Sequence, residues 1–142
     1  MPQSAFDLIA TCVHLADGPR AVPVEVGEDF WATIDSRTDL EGGRLVAVFH
    51  FGRTGSWPHW EVHPAGDEVV CLLSGAIDLV LRADDGERVI QLRDRAACIV
   101  PRGMWHRGIT HEPGDALFIT RGAGTQHRPV FIADYAPCAT DR

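Results

Sequence analysis

The stretch HWEVHPAGDEVVCLLSG, residues 59–75, sets two histidines and two glutamates within ten residues, then runs into an apolar segment that ends in glycine. Read as a strand, HWEVH alternates: His59, Glu61 and His63 share one face, Trp60 and Val62 the other. If the polar face points inward it needs partners or a function, because unpaired buried polar groups are costly. Glu61 and His63 lie roughly 7 Å apart along a strand and can converge on one ion; His59 and His63, about 13 Å apart, cannot without a kink. Pro58 marks the strand's start and places His59 near a pocket mouth, either touching substrate or simply solvated. PAGD (64–67) is turn chemistry and can bring Glu68 back beside residues 61 and 63.

Working outward, short runs with period-two alternation dominate. RLVAVFHF (44–51) puts Leu45, Ala47, Phe49 and Phe51 on one face, and AIDLVLRA (76–83) sets Ile77, Leu79 and Leu81 against Asp78, Val80 and Arg82. EVVCLLSG (68–75), RVIQL (88–92), AACIV (96–100) and DALFITR (115–121) read as further strands. Turn signals separate them, and ADDGER reads as a hairpin loop. The pattern predicts an all-β sandwich or barrel. GEDFWATIDS (27–36) is a short helix candidate, with an edge strand or a 3₁₀ turn as the alternatives.

The 142 residues fit one domain with a fair-sized core. Hydrophobic content of 45% and charged content of 23% are the balance of a soluble globular protein. Net charge is −7, and all thirteen basic residues are scattered arginines. Nucleic acid and anionic membranes are excluded as partners, since phosphates call for a basic patch. No apolar run spans a membrane and no secretory signal is visible, so cytoplasmic residence is expected. Cys12, Cys71, Cys98 and Cys138 form no CxxC, which argues against a zinc knuckle. Cys71 and Cys98 read as core residues. His14, His50 and His111 take no role, and His50 is expected to face outward.

Downstream, VPRGMWH (100–106) gives a strand end, a Pro–Gly turn and His106 entering the next strand. The pattern Glu61-x-His63-x4-Glu68-x6-Gly75 followed by Pro101-x-Gly103-x2-His106 resembles the two motifs of the cupin superfamily. The resemblance covers roughly residues 43–121. Three features depart from it. Glu61 stands where the first histidine usually sits, Thr110 replaces the closing Asn, and Ala96 stands at the position of the glycine that opens the second motif.

The resemblance implies a small single-domain, RmlC-like cupin over residues 1–142. Its fold would be all-β, a double-stranded β-helix or jelly-roll barrel with at most one or two short helices. The barrel core would span about 43–121, with N- and C-terminal arms packed on the barrel or on a partner in a homodimer. The metal-ligand positions carried over are Glu61, His63, Glu68 and His106. They suit a divalent ion, Fe²⁺ or Mn²⁺ by their oxygen-rich chemistry, with Zn²⁺ and Ni²⁺ as further options. Without an ion, Glu61 and Glu68 would face each other as an acid/base pair, sharing a proton or pairing with the histidines. The expected function is a metal-dependent enzyme, an oxygenase or isomerase, acting on a small polar metabolite such as an organic acid. The alternative is a metal-free or non-catalytic binding or sensing module.

ITRGAGTQHRP (119–129) reads as a shaped structural turn, at the pocket mouth or in a dimer contact, with His127 beside His59 as an outer residue of the site. Trp57, Trp60 and Trp105 read as core or interface packing rather than substrate stacking.

Overall fold

A computed structural model describes residues 4–131 of the chain. Its strands are β1 (Thr11–Leu15), β2 (Ala21–Glu25), β3 (Arg44–Phe51), β4 (Gly55–Ser56), β5 (His59–Val62), β6 (Glu68–Leu72), β7 (Ala76–Ala83), β8 (Gly86–Leu92), β9 (Ala97–Val100), β10 (Trp105–Glu112), β11 (Gly114–Thr120) and β12 (Gln126–Pro129). They form two antiparallel sheets, one in the order β2-β1-β3-β11-β6-β9, the other β12-β5-β10-β7-β8 with β4 added on β10. This is a jelly-roll, the architecture that the alternating runs and turns require once their apolar faces are buried against each other.

The inward faces follow the alternation. Ile77, Leu79 and Leu81 of β7 pack with Val70, Leu72, Leu92, Val100, Ala116 and Phe118 into the main core. A second cluster, Cys12, Phe30, Leu45 and Ala47, closes one end. Phe30 belongs to α1 (Phe30–Thr33), a single helical turn continued by 3₁₀ turns at Ile34–Ser36 and Thr38–Leu40. Four residues are too few to hold a helix alone, and the buried Phe30 side chain anchors it. Among the described residues, no helix is long and apolar enough to cross a membrane.

Several segments differ from the sequence reading. Residues 119–129 are not one structural turn: Thr120 ends β11, a tight turn is closed by Thr125 N–H on the Gly122 carbonyl at 3.1 Å, and Gln126–Pro129 is β12, paired with β5. The run Gln-His-Arg-Pro hides a strand because it has no apolar alternation, and Pro129 is tolerated at a sheet edge. The N-terminal segment supplies β1 and β2, which extend the first sheet beside β3. The last ten residues, expected as an arm, and Cys138 lie outside the described residues.

Turn chemistry positions the second motif. Met104 N–H bonds the Pro101 carbonyl at 3.2 Å and Gly103 has φ of 77°, the left-handed third position of a type II turn. With five residues between it and Pro101, the motif's opening position falls on Arg95 rather than on Ala96. Arg95 keeps the left-handed backbone a glycine would adopt, with φ of 67°, next to Asp94 at 49°.

Candidate metal centre

Four side chains meet inside the barrel. Glu61 lies on β5, and His63 follows directly where the strand ends. Glu68 opens β6 after the 64–67 turn, and His106 is the second residue of β10. Glu61 and His106 are direct cross-strand partners, whereas Glu68 comes from the opposite sheet. Two backbone ties lock the two motifs together: Gly103 N–H bonds the His63 carbonyl at 3.0 Å, and Arg102 N–H bonds Asp67 Oδ1 at 2.8 Å.

The donor atoms of the four residues all lie within 4.8 Å of one another. His63 Nε2 is 2.9 Å from Glu61 Oε1 and 3.1 Å from Glu68 Oε2. His106 Nε2 is 3.2 Å from Glu68 Oε1 and 3.8 Å from Glu61 Oε1. An ion bonded at about 2.1 Å to each donor would set neighbouring donors about 3 Å apart and opposed ones about 4 Å apart, so the spacing fits a metal. His63, Glu68 and His106 are only 5%, 2% and 3% exposed, so their side chains are almost wholly withdrawn from solvent.

The outer hydrogen bonds orient the donors. His106 Nδ1 donates to the Met104 carbonyl at 3.1 Å. A carbonyl only accepts, so Nδ1 carries the proton of that bond and Nε2 is the nitrogen turned to the cluster. His63 Nδ1 meets Thr125 Oγ1 at 2.7 Å, and the Thr120 hydroxyl donates to Glu68 Oε2 at 2.6 Å. Inside the cluster, His63 Nε2 and Glu68 Oε1 are buried with no hydrogen-bond partner. Their neighbours are close enough for ion pairs but lie off the direction of a hydrogen bond. Buried polar atoms left this way are rare and costly, and a cation among them satisfies all of them at once. The residues present therefore fit a divalent metal.

Electrostatics point the same way. Burial opposes the charged form of His63, yet the close approach and charges of Glu61 and Glu68 outweigh it and push its pKa up to about 9. Burial likewise opposes the Glu68 carboxylate, yet His106 and His63 hold it down to about 2. Glu61 lies below its ordinary value as well, with burial again opposed and His63 prevailing. Both carboxylates thus stay charged and pair with histidine rather than share a proton.

The remaining site candidates lie further out. His127 on β12 reaches Glu61 Oε2 at 2.6 Å. His59 is exposed at the mouth, its ring 6.3 Å from that of His127, and it is not among the four converging donors. His50 is exposed and pairs with Asp115 at 2.7 Å. Thr120, Thr125 and the Met104 carbonyl were missed in the sequence; only Thr120 left a signal, two residues beyond Phe118 on an inward strand face. Trp60 and Trp57 part company. Trp60 is fully buried outside the second sheet against Val80, with the Arg82 guanidinium 4.2 Å from its ring centroid. Trp57 instead lines the cavity of about 1280 Å³ onto which the four donors open.

No family model matches the chain, and comparison with curated proteins finds no match. Solved structures do align. A variant of Bacillus subtilis oxalate decarboxylase gives a TM-score of 0.54 at 15% identity, over 76% of this chain and 31% of that one. Another variant of the same enzyme gives 0.51 at 18% identity, over 70% and 28%. A cupin-2 domain-containing protein from Shewanella frigidimarina aligns at 0.45 and 20% identity, over 54% and 68%. The chain spans about a third of the decarboxylase chains it matches, and likeness at this identity speaks for the fold alone. With alignment over 70–76% of its length, the chain shares the fold of these decarboxylase chains, a jelly-roll of two antiparallel sheets.

Proposed function

We propose that the chain is a metal-dependent enzyme, an oxygenase or isomerase, that acts on a small organic acid inside the barrel. One observation carries this reading: His63 Nε2 and Glu68 Oε1, buried and unbonded, belong to the same converging set as the ligand atoms of Glu61 and His106. Two imidazoles and two carboxylates would balance a dication and suit Fe²⁺ or Mn²⁺, with Zn²⁺ and Ni²⁺ compatible with the same donors. When bound, the ion supplies a Lewis-acid centre with coordination positions left for substrate. The chain's own part is to aim the donors through Thr120, Thr125, His127 and the Met104 carbonyl, and to keep water off them with the apolar wall of the cavity.

The test is turnover. Protein loaded with Fe²⁺ or Mn²⁺ is incubated with a panel of organic acids in air and under argon, and products are read by mass spectrometry. Product that vanishes in His63→Ala supports the reading. An acid that raises the Tm of the loaded protein by mass action but is returned unchanged under every condition makes the chain a binding module.

A homodimer fits the outer face of the first sheet. Val13, Val46, Ile119, Val69 and Ile99 are register partners in one row across five strands, and Ile99 is 61% exposed. Sedimentation of wild type beside Ile99→Glu checks this: a dimer that becomes a monomer is expected, and an unchanged sedimentation coefficient contradicts it.

A further inference from the structure

We infer that the substrate is an aromatic acid, its ring laid on the Phe51–Trp57–Phe118 wall, its anionic group held by Arg53 and its reacting edge turned to the four donors. This rests on the metal-site reading above and narrows its organic acid to one class.

The wall is built into the same strand faces as the donors. On β10, His106, Gly108 and Thr110 share the inward face. The Trp57 indole fills the slot left by Gly108, where an added Cβ would stand 2.3 Å from the ring. It is pinned there by its Nε1 donating to Thr110 Oγ1 at 3.0 Å and by its main-chain N–H on the Gly108 carbonyl at 2.9 Å. The indole is thereby fixed about one two-residue step, roughly 7 Å, along the strand from His106. Phe51 stacks on it with centroids 4.4 Å apart and planes 4° apart. On β11, Phe118 shares its face with Thr120, the residue that holds Glu68. Its ring lies 6.1 Å from Phe51 and 6.3 Å from Trp57. All three rings line the cavity.

Such a wall beside the metal donors has no use for a two-carbon diacid, which would touch the donors and leave the rings facing water. A flat ring covers them and gains from offset or edge contacts. The charge at the rim is selective too. Arg37 lines the cavity but is spent on Asp39, with two hydrogen bonds of 2.9 Å. Arg53, exposed in the 52–54 loop and lining the same cavity, pairs with no carboxylate among the described residues. A substrate anion entering the cavity meets this cation on its lining.

The test is calorimetric titration of the full chain, metal-loaded and chelator-treated, with benzoate, benzamide and oxalate, with metal content measured on the same samples. Benzoate is expected to bind at least tenfold more tightly than either of the others. Arg53→Gln, a surface change that leaves the barrel intact, should bring benzoate down to benzamide's affinity. Phe51→Leu should weaken benzoate about fivefold, as loss of one ring contact implies. Circular dichroism confirms that both variants fold. Oxalate binding as tightly as benzoate, or benzoate affinity unchanged in both variants, overturns the inference. Bound metal with oxalate preferred sinks this inference and leaves the metal reading standing. Benzoate preferred on protein that takes up no metal does the reverse.

Discussion

His127 Nε2 donates to Oε2 of Glu61 at 2.6 Å, and the two residues are cross-strand partners, with Glu61 paired on its other side to His106. Glu61 is the position where the motif departs from its usual histidine. Its outer oxygen is taken by His127, so only Oε1 faces the cluster, and the carboxylate is held as a one-atom donor, as an imidazole would be.

His127→Phe keeps a ring at that position and removes the hydrogen bond. Metal affinity should fall about 10- to 100-fold, the usual effect of losing a group that orients a ligand, with little change in Tm because His127 is half exposed. Competition with a fluorescent chelator reads the affinity, and an unchanged value contradicts the role.

Thr120→Val removes the hydroxyl that bonds Glu68 Oε2 while keeping the side chain's shape. A hydrogen bond to a buried charged group contributes about 1.5–3 kcal/mol. Urea unfolding of the chelator-treated variant should show a loss of this size, and a loss below about 0.5 kcal/mol would argue against a buried charged Glu68.

Gly108→Val places a Cβ 2.3 Å from the Trp57 ring. The indole must leave its slot, and overpacking of this kind costs about 1–3 kcal/mol. Urea unfolding reads the stability and tryptophan fluorescence reads the displacement. A variant as stable as wild type with the same emission would mean that the slot is not filled as described.

The pH dependence has a definite sign. In the metal-free chain His63 titrates at about 9 against an ordinary 6.5, so its contribution is complete below pH 6.5 and is lost as pH rises through 9. Glu68 titrates at about 2 against an ordinary 4.5, so its contribution is present above pH 4.5 and is lost as pH falls through 2. Chelator-treated protein should therefore lose Tm between pH 6.5 and 9. Metal binding at pH 7.5 should expel about one proton, since a ligating His63 must be neutral. Calorimetry in two buffers of different ionisation enthalpy counts that proton, and a count of zero contradicts the assignment.

Strands β3 and β7 were legible because their inward faces are apolar throughout. β10 was legible only at its start, where His106 follows the Pro–Gly turn, and function is the reason: its inward face reads His106, Gly108, Thr110, and on its outer side Arg107 is fully buried with its guanidinium 5.2 Å from the Trp60 ring. Neither face shows the apolar alternation that marks a strand. β1 is obscured in the same way by His14, which turns inward and meets the Gly42 carbonyl at 2.6 Å. For the site, the spacing within each motif made Glu61, His63, Glu68 and His106 readable as one group. Thr120, Thr125 and His127 reach it only through the register of β11 and β12 and the turn between them, which the local sequence does not encode. Trp57 packs against the main core as the sequence reading has it; that it also lines the cavity is not legible, because nothing near it in the chain announces the slot left by Gly108, 51 residues on.

The central claim is that Glu61, His63, Glu68 and His106 hold one metal ion. Inductively coupled plasma mass spectrometry on protein purified without a His tag, beside the His63→Ala/His106→Ala double variant, tests it most directly. The account predicts about one metal ion per chain in the wild type and none in the variant. A wild type that stays empty after Fe²⁺, Mn²⁺, Zn²⁺ and Ni²⁺ have each been offered, or a variant that keeps its metal, contradicts it.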